Sequence, residues 1–147
     1  MNKDLALVTE FLAGDRSPRM LTACSLQEAL RGRILELDPR QGTSVLSFEP
    51  GPQFLQGGGS IQGGIVAAML DFACVFAAFS RLPSGGSLGS TTLTINYLRP
   101  ALPGLLESRG KIVKMGSRFI FAEAQIEAQD GKLVATATTV IAVIPGQ

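Results

Sequence analysis

One apolar run, residues 61–79, constrains this chain more than anything else in it, because a single charge, Asp71, interrupts the run near its middle. The run is about the length of a membrane span. Gln62, Gly63 and Gly64 at its start and Asp71 at its centre speak against one. An Asp near mid-helix costs ~2.5–3.5 kcal/mol on insertion scales. The uninterrupted pieces, residues 65–70 and 72–79, are each too short to cross a bilayer. A helix over about residues 63–81, buried on nearly all sides in a soluble fold, fits better. Pro83, Gly85 and Gly86 follow and stop it. One small flat sheet cannot cover a helix this apolar. A sheet wrapped around it buries most of it and a partner chain could cover the rest, so a homo-oligomer is expected.

The flanking sequence supplies that sheet. Residues 4–13 read as a short amphipathic helix, with Leu5, Val8, Phe11 and Leu12 on one stripe and Gly14 ending it. A turn or linker (15–18) and a further short turn of structure (25–29) follow. Residues 30–38 and 43–48 read as a strand pair around the 39–42 turn. Residues 49–59 are loop, rich in Pro and Gly. After the helix the pattern is almost wholly β: strands over 88–98, 105–114, 119–128 and 132–144, with the Asp130-Gly131 pair a strong hairpin signal. Runs of antiparallel strands around one inserted helix imply an α+β class, with five to six strands around one long central helix. The 147 residues form one domain, 1–147, with residues 1–29 a helical extension at its start.

Composition closes off several kinds of chemistry. The chain contains no His, so a Ser-His-Asp triad, a Cys-His pair and a His-ligated metal are unavailable within it. A general base at neutral pH must be a carboxylate, a shifted Lys or Cys, or water on a borrowed group. Thirteen Lys+Arg against 12 Asp+Glu leave a net charge of +1, which gives no footprint for nucleic acid. Cys24 and Cys74 have neither zinc spacing nor a disulfide framework, and read as two buried thiols in a reducing cytoplasm. The first ten residues carry Lys3, Asp4 and Glu10 and lack a long apolar run, so no signal peptide is expected in them.

Asp71 and the glycines before it are the candidates for chemistry. A lone carboxylate in the most apolar stretch needs a partner or a purpose. Burial would raise its pKa and make it a stronger base when ionised. A plain helix residue bonded to backbone or to an Arg is the competing reading, and the pattern alone leaves both open. Gly57, Gly58 and Gly59 precede the Gly63-Gly64 pair that opens the helix. The unpaired N–H groups there can bind an anion or a developing oxyanion. A flexible turn with tight helix packing is the alternative. The string is neither a Walker motif nor a dinucleotide fingerprint. Gln62 and Asp71 lie nine positions apart, roughly 13 Å along a helix, too far to act on one carbonyl. Two antiparallel copies of the helix would bring one chain's Gly63 near the other's Asp71.

The stretch from Gln56 to Asp71, QGGGSIQGGIVAAMLD, resembles the signature of hotdog-fold acyl-CoA thioesterases of the phenylacetate-pathway type. That family reads Asn-x-x-Gly-x-x-His-Gly-Gly and then, seven residues on, Asp or Glu. A second block, STTLTINYLRP from Ser90 to Pro100, is similar to the family's strand after the helix, with its Arg-Pro ending. The resemblance spans roughly residues 30–143. It implies a hotdog, an antiparallel sheet curled around the long helix, paired into dimers and often tetramers. It implies hydrolysis of an acyl-CoA to a carboxylic acid and CoA, with the thioester as substrate and no cofactor. On this resemblance Asp71 activates water or attacks directly. Gly63 donates its N–H to the thioester oxygen, and Gly64 adjoins it at the substrate. Ser90 matches the hydroxyl that helps place the water, with Thr91 close enough to compete. Gln62 stands where the family has His and Gln56 where it has Asn; both keep an amide able to donate a hydrogen bond. Hotdog dehydratases use a His with an acid, which favours the hydrolase branch.

Arg99, Lys114 and Arg118 lie in or near turns and are candidates for the CoA phosphates, or are solvated turn charges. Phe54, Leu55, Met69, Phe72 and Phe76 are candidates for the acyl pocket, or ordinary core. A hotdog domain that binds acyl-CoA without turnover, as sensor or carrier, is the second functional reading, motivated by Gln56 and Gln62. The expected location is the cytoplasm, with no nucleic-acid or membrane partner and no metal.

Overall fold

The computed structural model describes residues 1–82 and 85–146. Its central element is the apolar helix, which the sheet and the N-terminal segment enclose. In chain order the elements are α1 (Lys3–Ala13), β1 (Arg19–Met20), α2 (Ser25–Ala29), β2 (Arg33–Asp38), β3 (Thr43–Phe48), a single 3-10 turn (Pro52–Phe54), α3 (Gly63–Phe79), β4 (Ser87–Tyr97), β5 (Leu106–Met115), β6 (Phe119–Ala128) and β7 (Leu133–Ile144). All seven strands form one antiparallel sheet in the order β1-β2-β3-β5-β6-β7-β4. The class is therefore α+β, an antiparallel sheet around one long helix, as expected. The six long strands are those read from the sequence. The two-residue β1 adds a seventh, so the first 29 residues carry a strand as well as two helices.

Side-chain alternation decides which face of each strand meets α3. On β6, Ile120, Ala122, Ala124 and Ile126 are buried and alternate with exposed neighbours. α3 is 17 residues long and packs on β5, β6, β3, β4 and β7. Contact with β5 is closest at Gly110, where an added Cβ would lie 2.2 Å from the Ala73 carbonyl oxygen. The Ser44 hydroxyl of β3 donates to that same oxygen at 2.6 Å. A side-chain-free residue and a buried hydroxyl thus set the depth of α3 two residues beyond Asp71.

α1 covers part of the helix that the sheet leaves open, burying Leu5, Leu7, Val8 and Phe11. Asn2 caps it by accepting from the N–H groups of Asp4 and Leu5. The fully buried Gln27 of α2 ties the segment down: its amide donates to Asp4 at 2.6 Å and accepts from the Ala23 N–H. What α3 still shows is Gly63 at its start and one stripe, Gly64, Ile65, Ala67, Ala68, Asp71, Phe72 and Val75, none of which is buried. Spacings of three, four and seven put these residues on one helix face.

Three boundaries move from the sequence reading. β2 begins at Arg33 rather than at residue 30, because Leu30 closes α2 and Arg31 takes a positive φ of 51°. α3 ends at Phe79, before the expected residue 81. Arg81 instead turns back and donates to the Pro39 and Arg40 carbonyls in the β2–β3 turn. The expected helix stop at Pro83 lies outside the described residues. Gly131, with φ of 79°, completes the Asp130-Gly131 turn as read. Cys74 is buried but Cys24 is exposed, just before α2, which corrects the reading of two buried thiols.

Candidate active site

α3 and β4 together carry the site. They run in opposite senses: Asp71, mid-helix, meets the start of β4, and Gly63, at the helix start, meets its end. Asp71 is half-buried among apolar neighbours. The Ser90 hydroxyl donates to its Oδ1 at 2.6 Å. Burial pushes the Asp71 carboxyl above its usual range, and the Ser90 bond, which favours the ionised form, opposes part of that rise. Thr91 does not compete for this position. A bulge between Ser90 and Thr92 makes it the extra residue of β4, and its hydroxyl donates to the Val140 carbonyl at 2.8 Å.

The helix start is built as a donor site. Gln62 takes the N-cap position with no side-chain cap bond, and its side chain is exposed. Its carbonyl receives the N–H groups of both Ile65 and Val66. Gly63 and Gly64 therefore present the two N–H groups of this turn that bond to no group among the described residues. Gln56 acts within its own loop. Its side-chain oxygen accepts from the Gly58 N–H, its amide nitrogen donates to Ser60 Oγ at 2.6 Å, and its backbone N–H donates to the Ser60 carbonyl. Gln56 thus shapes the approach to the helix rather than facing Asp71.

The remaining candidates fall in different places. The Lys114 and Arg118 end of the β5–β6 hairpin lies in register with the Gly89 and Ser90 end of β4, through the pairs Phe119–Ala142–Gly89 and Ile120–Ile141–Ser90. Arg99 follows β4 at the opposite end. There it helps line a cleft of about 430 Å³ with Gln56, Ser60, Gly63, Tyr97 and Pro100. All three cations are exposed. Phe54 and Phe72 are partly buried, and Phe72 stacks on Phe48 with centroids 6.2 Å apart. Met69 and Phe76 are fully buried core. A larger cleft of about 650 Å³ crosses the outer face of the sheet and contains neither Asp71 nor Ser90. Among the described residues no three His, Cys, Asp or Glu side chains gather where a metal could sit, and no helix is long and apolar enough to cross a membrane.

Sequence reasoning missed Tyr97. Its hydroxyl donates to the Gly63 carbonyl at 2.7 Å. The signal was present: Leu93, Ile95 and Tyr97 alternate along β4, so a strand whose inner face holds Leu93 also turns Tyr97 toward the helix.

A protein described as an esterase in Saccharolobus solfataricus is 31% identical over 107 residues, 71% of this chain and 73% of its own. The structure of a Ralstonia eutropha thioesterase, described as phenylacetic acid degradation-related, superposes with a TM-score of 0.81 at 30% identity, covering 92% of this chain and 98% of that one. The Escherichia coli PaaI protein of the phenylacetic acid degradation operon has the same fold, with a TM-score of 0.77 at 23% identity and 99% and 97% coverage. Residues 58–135, which hold the glycine pair, Asp71, Ser90 and Tyr97, match the thioesterase superfamily. By fold, by motif and by kinship the chain belongs to that superfamily of hotdog thioester hydrolases.

Proposed function

We propose that the chain is an acyl-CoA thioesterase whose active site is completed by a second copy, with Asp71 and Ser90 from one subunit and the Gly63 and Gly64 N–H groups from the other. One observation carries this reading. Gly64 and Asp71 share the single stripe of α3 that the chain leaves uncovered, yet Gly63 and Asp71 stand about 12 Å apart along the axis at 1.5 Å per residue. One chain therefore holds two halves of a site, a base and a pair of donors, that cannot reach one thioester together.

The edge strand supports a way to join them. β4 is 11 residues long and, among the described residues, pairs on one side only, with β7. Opposed residues of an antiparallel pair must share a face. A two-fold pairing of β4 with its copy about Thr94 meets that condition. It sets Leu93 against Ile95 of the second copy, and Tyr97 against Thr91, beside Ser90. Gly63 of one subunit then lies next to Asp71 of the other. The same operation carries Arg99 toward Lys114 and Arg118, which gathers three cations for the CoA phosphates.

In the proposed reaction, Asp71 as carboxylate takes a proton from a water that the Ser90 hydroxyl helps to hold. The water oxygen bonds to the thioester carbon. The carbonyl oxygen becomes an oxyanion, held by the Gly63 and Gly64 N–H groups at the positive end of α3. Collapse breaks the C–S bond, and the proton on Asp71 passes to the departing CoA sulfur. The products are a carboxylic acid and CoA, and no cofactor enters. Such a substrate suits a cytoplasmic protein.

Thiol release from short, medium, long and aryl acyl-CoAs tests the activity. Turnover that disappears in Asp71→Asn is expected; turnover unchanged in that variant, or no release from any substrate by folded protein, refutes it. Mixing inactive Asp71→Asn with inactive Gly64→Val tests the shared site. After subunit exchange half the dimers are mixed and each has one intact site, so about a quarter of wild-type activity returns. No recovery would place the site within one chain.

A further inference from the structure

The two glycines that open α3 are there for different reasons. Neither has a positive φ, so backbone freedom does not explain them. A Cβ on Gly63 would meet Tyr97 Oη at 3.3 Å and Cζ at 3.4 Å. The Tyr97 ring lies where that side chain would be. A Cβ on Gly64 would meet nothing within 4 Å. Nothing in the chain's own packing requires glycine at 64.

The Tyr97 hydroxyl holds the Gly63 carbonyl at 2.7 Å. That carbonyl and the Gly64 N–H belong to one planar trans peptide, and they point in opposite directions. A bond that fixes the carbonyl therefore also aims the amide hydrogen. The N–H groups of the first helical residues lack an acceptor in the helix, and glycines flank the Gly63–Gly64 peptide on both sides. Ile65 and Val66 are tied to the Gln62 carbonyl, but the Gly64 N–H has no partner among the described residues.

We propose that Tyr97 is a positioning residue for the oxyanion site: by pinning the Gly63–Gly64 peptide from β4, it directs the Gly64 N–H at the thioester oxygen, while the bare Cα of Gly64 leaves room for the acyl group to approach. This deepens the thioesterase reading and rests on it. Tyr97 touches no reacting atom. It acts through the peptide, and its ring and hydroxyl have separable tasks: the ring packs on Gly63 and the hydroxyl sets the angle.

Tyr97→Phe separates them, because it keeps the ring and removes the bond. The expected result is a kcat lower by about tenfold, less than the ~10²–10³ for outright loss of an oxyanion donor, with KM within about twofold and an unchanged melting temperature. In the same variant without substrate, the Gly64 amide resonance shifts in a ¹H–¹⁵N spectrum, and amides at the far end of α3 do not. A kcat equal to wild type overturns the proposal. So does a kcat loss that comes with a lower melting temperature, or a Gly64 resonance that stays in place. If wild type releases no thiol from any acyl-CoA, the thioesterase reading has failed by itself. The Gly64 resonance then decides alone: movement upholds the pinning of the peptide by Tyr97, and a fixed resonance overturns it.

Discussion

Replacing Gly110 by Ala adds one methyl group where the sheet and α3 touch most closely. The new Cβ would stand 2.2 Å from the Ala73 carbonyl oxygen and 2.8 Å from Ser44 Oγ. Contacts below 3.0 Å essentially never occur, so α3 or β5 must yield by about 1 Å. Overpacking of this kind costs ~1–3 kcal/mol. The displacement also pulls the Ala73 carbonyl from the Ser44 hydroxyl now 2.6 Å away. Loss of a buried hydrogen bond costs a further ~1–3 kcal/mol. Some relief is shared between the two, so the expected loss is about 2–5 kcal/mol. At roughly 3 °C per kcal/mol for a chain of this size, the melting temperature falls by roughly 6–15 °C. Function suffers separately. Asp71 precedes Ala73 by two residues, so a shift of about 1 Å opens the Asp71–Ser90 contact, and a misplacement of that size can cost ~10²-fold in rate. Thermal unfolding followed by circular dichroism and thiol release below the transition measure the two effects. A Gly110→Ala protein that melts within 2 °C of wild type, or that loses stability with turnover intact, would refute the argument that this contact sets α3 and through it the carboxylate.

Asp71→Asn should melt higher than wild type at neutral pH while losing ~10²–10⁴-fold in kcat. Burial holds the folded carboxyl above its ordinary range, so its stabilising contribution is complete below the unfolded pKa and is lost as pH rises through the folded one. The gap in melting temperature between variant and wild type should therefore widen from acid to neutral pH, and a gap that narrows would contradict the burial. Wild-type kcat/KM should rise with pH through an inflection above the ordinary carboxylate range. Ser90→Ala should move that inflection further up and lower kcat about tenfold, because the bond it removes favours the ionised acid; a downward move in the pH–rate profile would count against it. Gly64→Ala should fold as stably as wild type, or more so, since its Cβ meets nothing, yet lose turnover; retained kcat and KM would mean that nothing docks there. Thr94→Cys in a Cys24→Ser background, which removes the exposed native thiol, should give a disulfide-linked dimer on oxidation that Cys24→Ser alone does not form, because opposed Cβ atoms lie about 4.5–5.5 Å apart; a monomer on non-reducing gels would exclude the Thr94 register.

What the sequence disclosed and what it withheld follow from the range of each interaction. Period-2 alternation and turn chemistry are local, so the six long strands and the Asp130-Gly131 hairpin could be read directly. The apolar helix and its solitary Asp71 were equally plain, since nothing else in the chain resembles them. β1 was invisible because two exposed residues carry no period, and only the pairing of Arg19 with Ile34 and Met20 with Arg33 makes them a strand. The start of β2 was misread because the positive φ of Arg31 leaves no trace in composition. At the site, residue type pointed to Asp71, but the choice of Ser90 over Thr91 depends on a bulge that is a property of strand register. Gln56 was placed by motif position, whereas its bonds run within its own loop. Tyr97 went unremarked because its partner is a backbone carbonyl 34 residues away, which no side-chain motif encodes.

The two cysteines make the chain its own gauge of opening. Cys24 is exposed, while Cys74 is fully buried, and burial pushes its thiol up to about 12. The folded protein thus offers one sulfur to a thiol reagent and withholds the other inside α3, three residues past the carboxylate. Modification should stop at one equivalent per chain, and a second should enter only as fast as the helix leaves its sheet. The lag between the two equivalents measures how often the layer bearing the acid comes apart under native conditions. It needs no denaturant and no introduced probe.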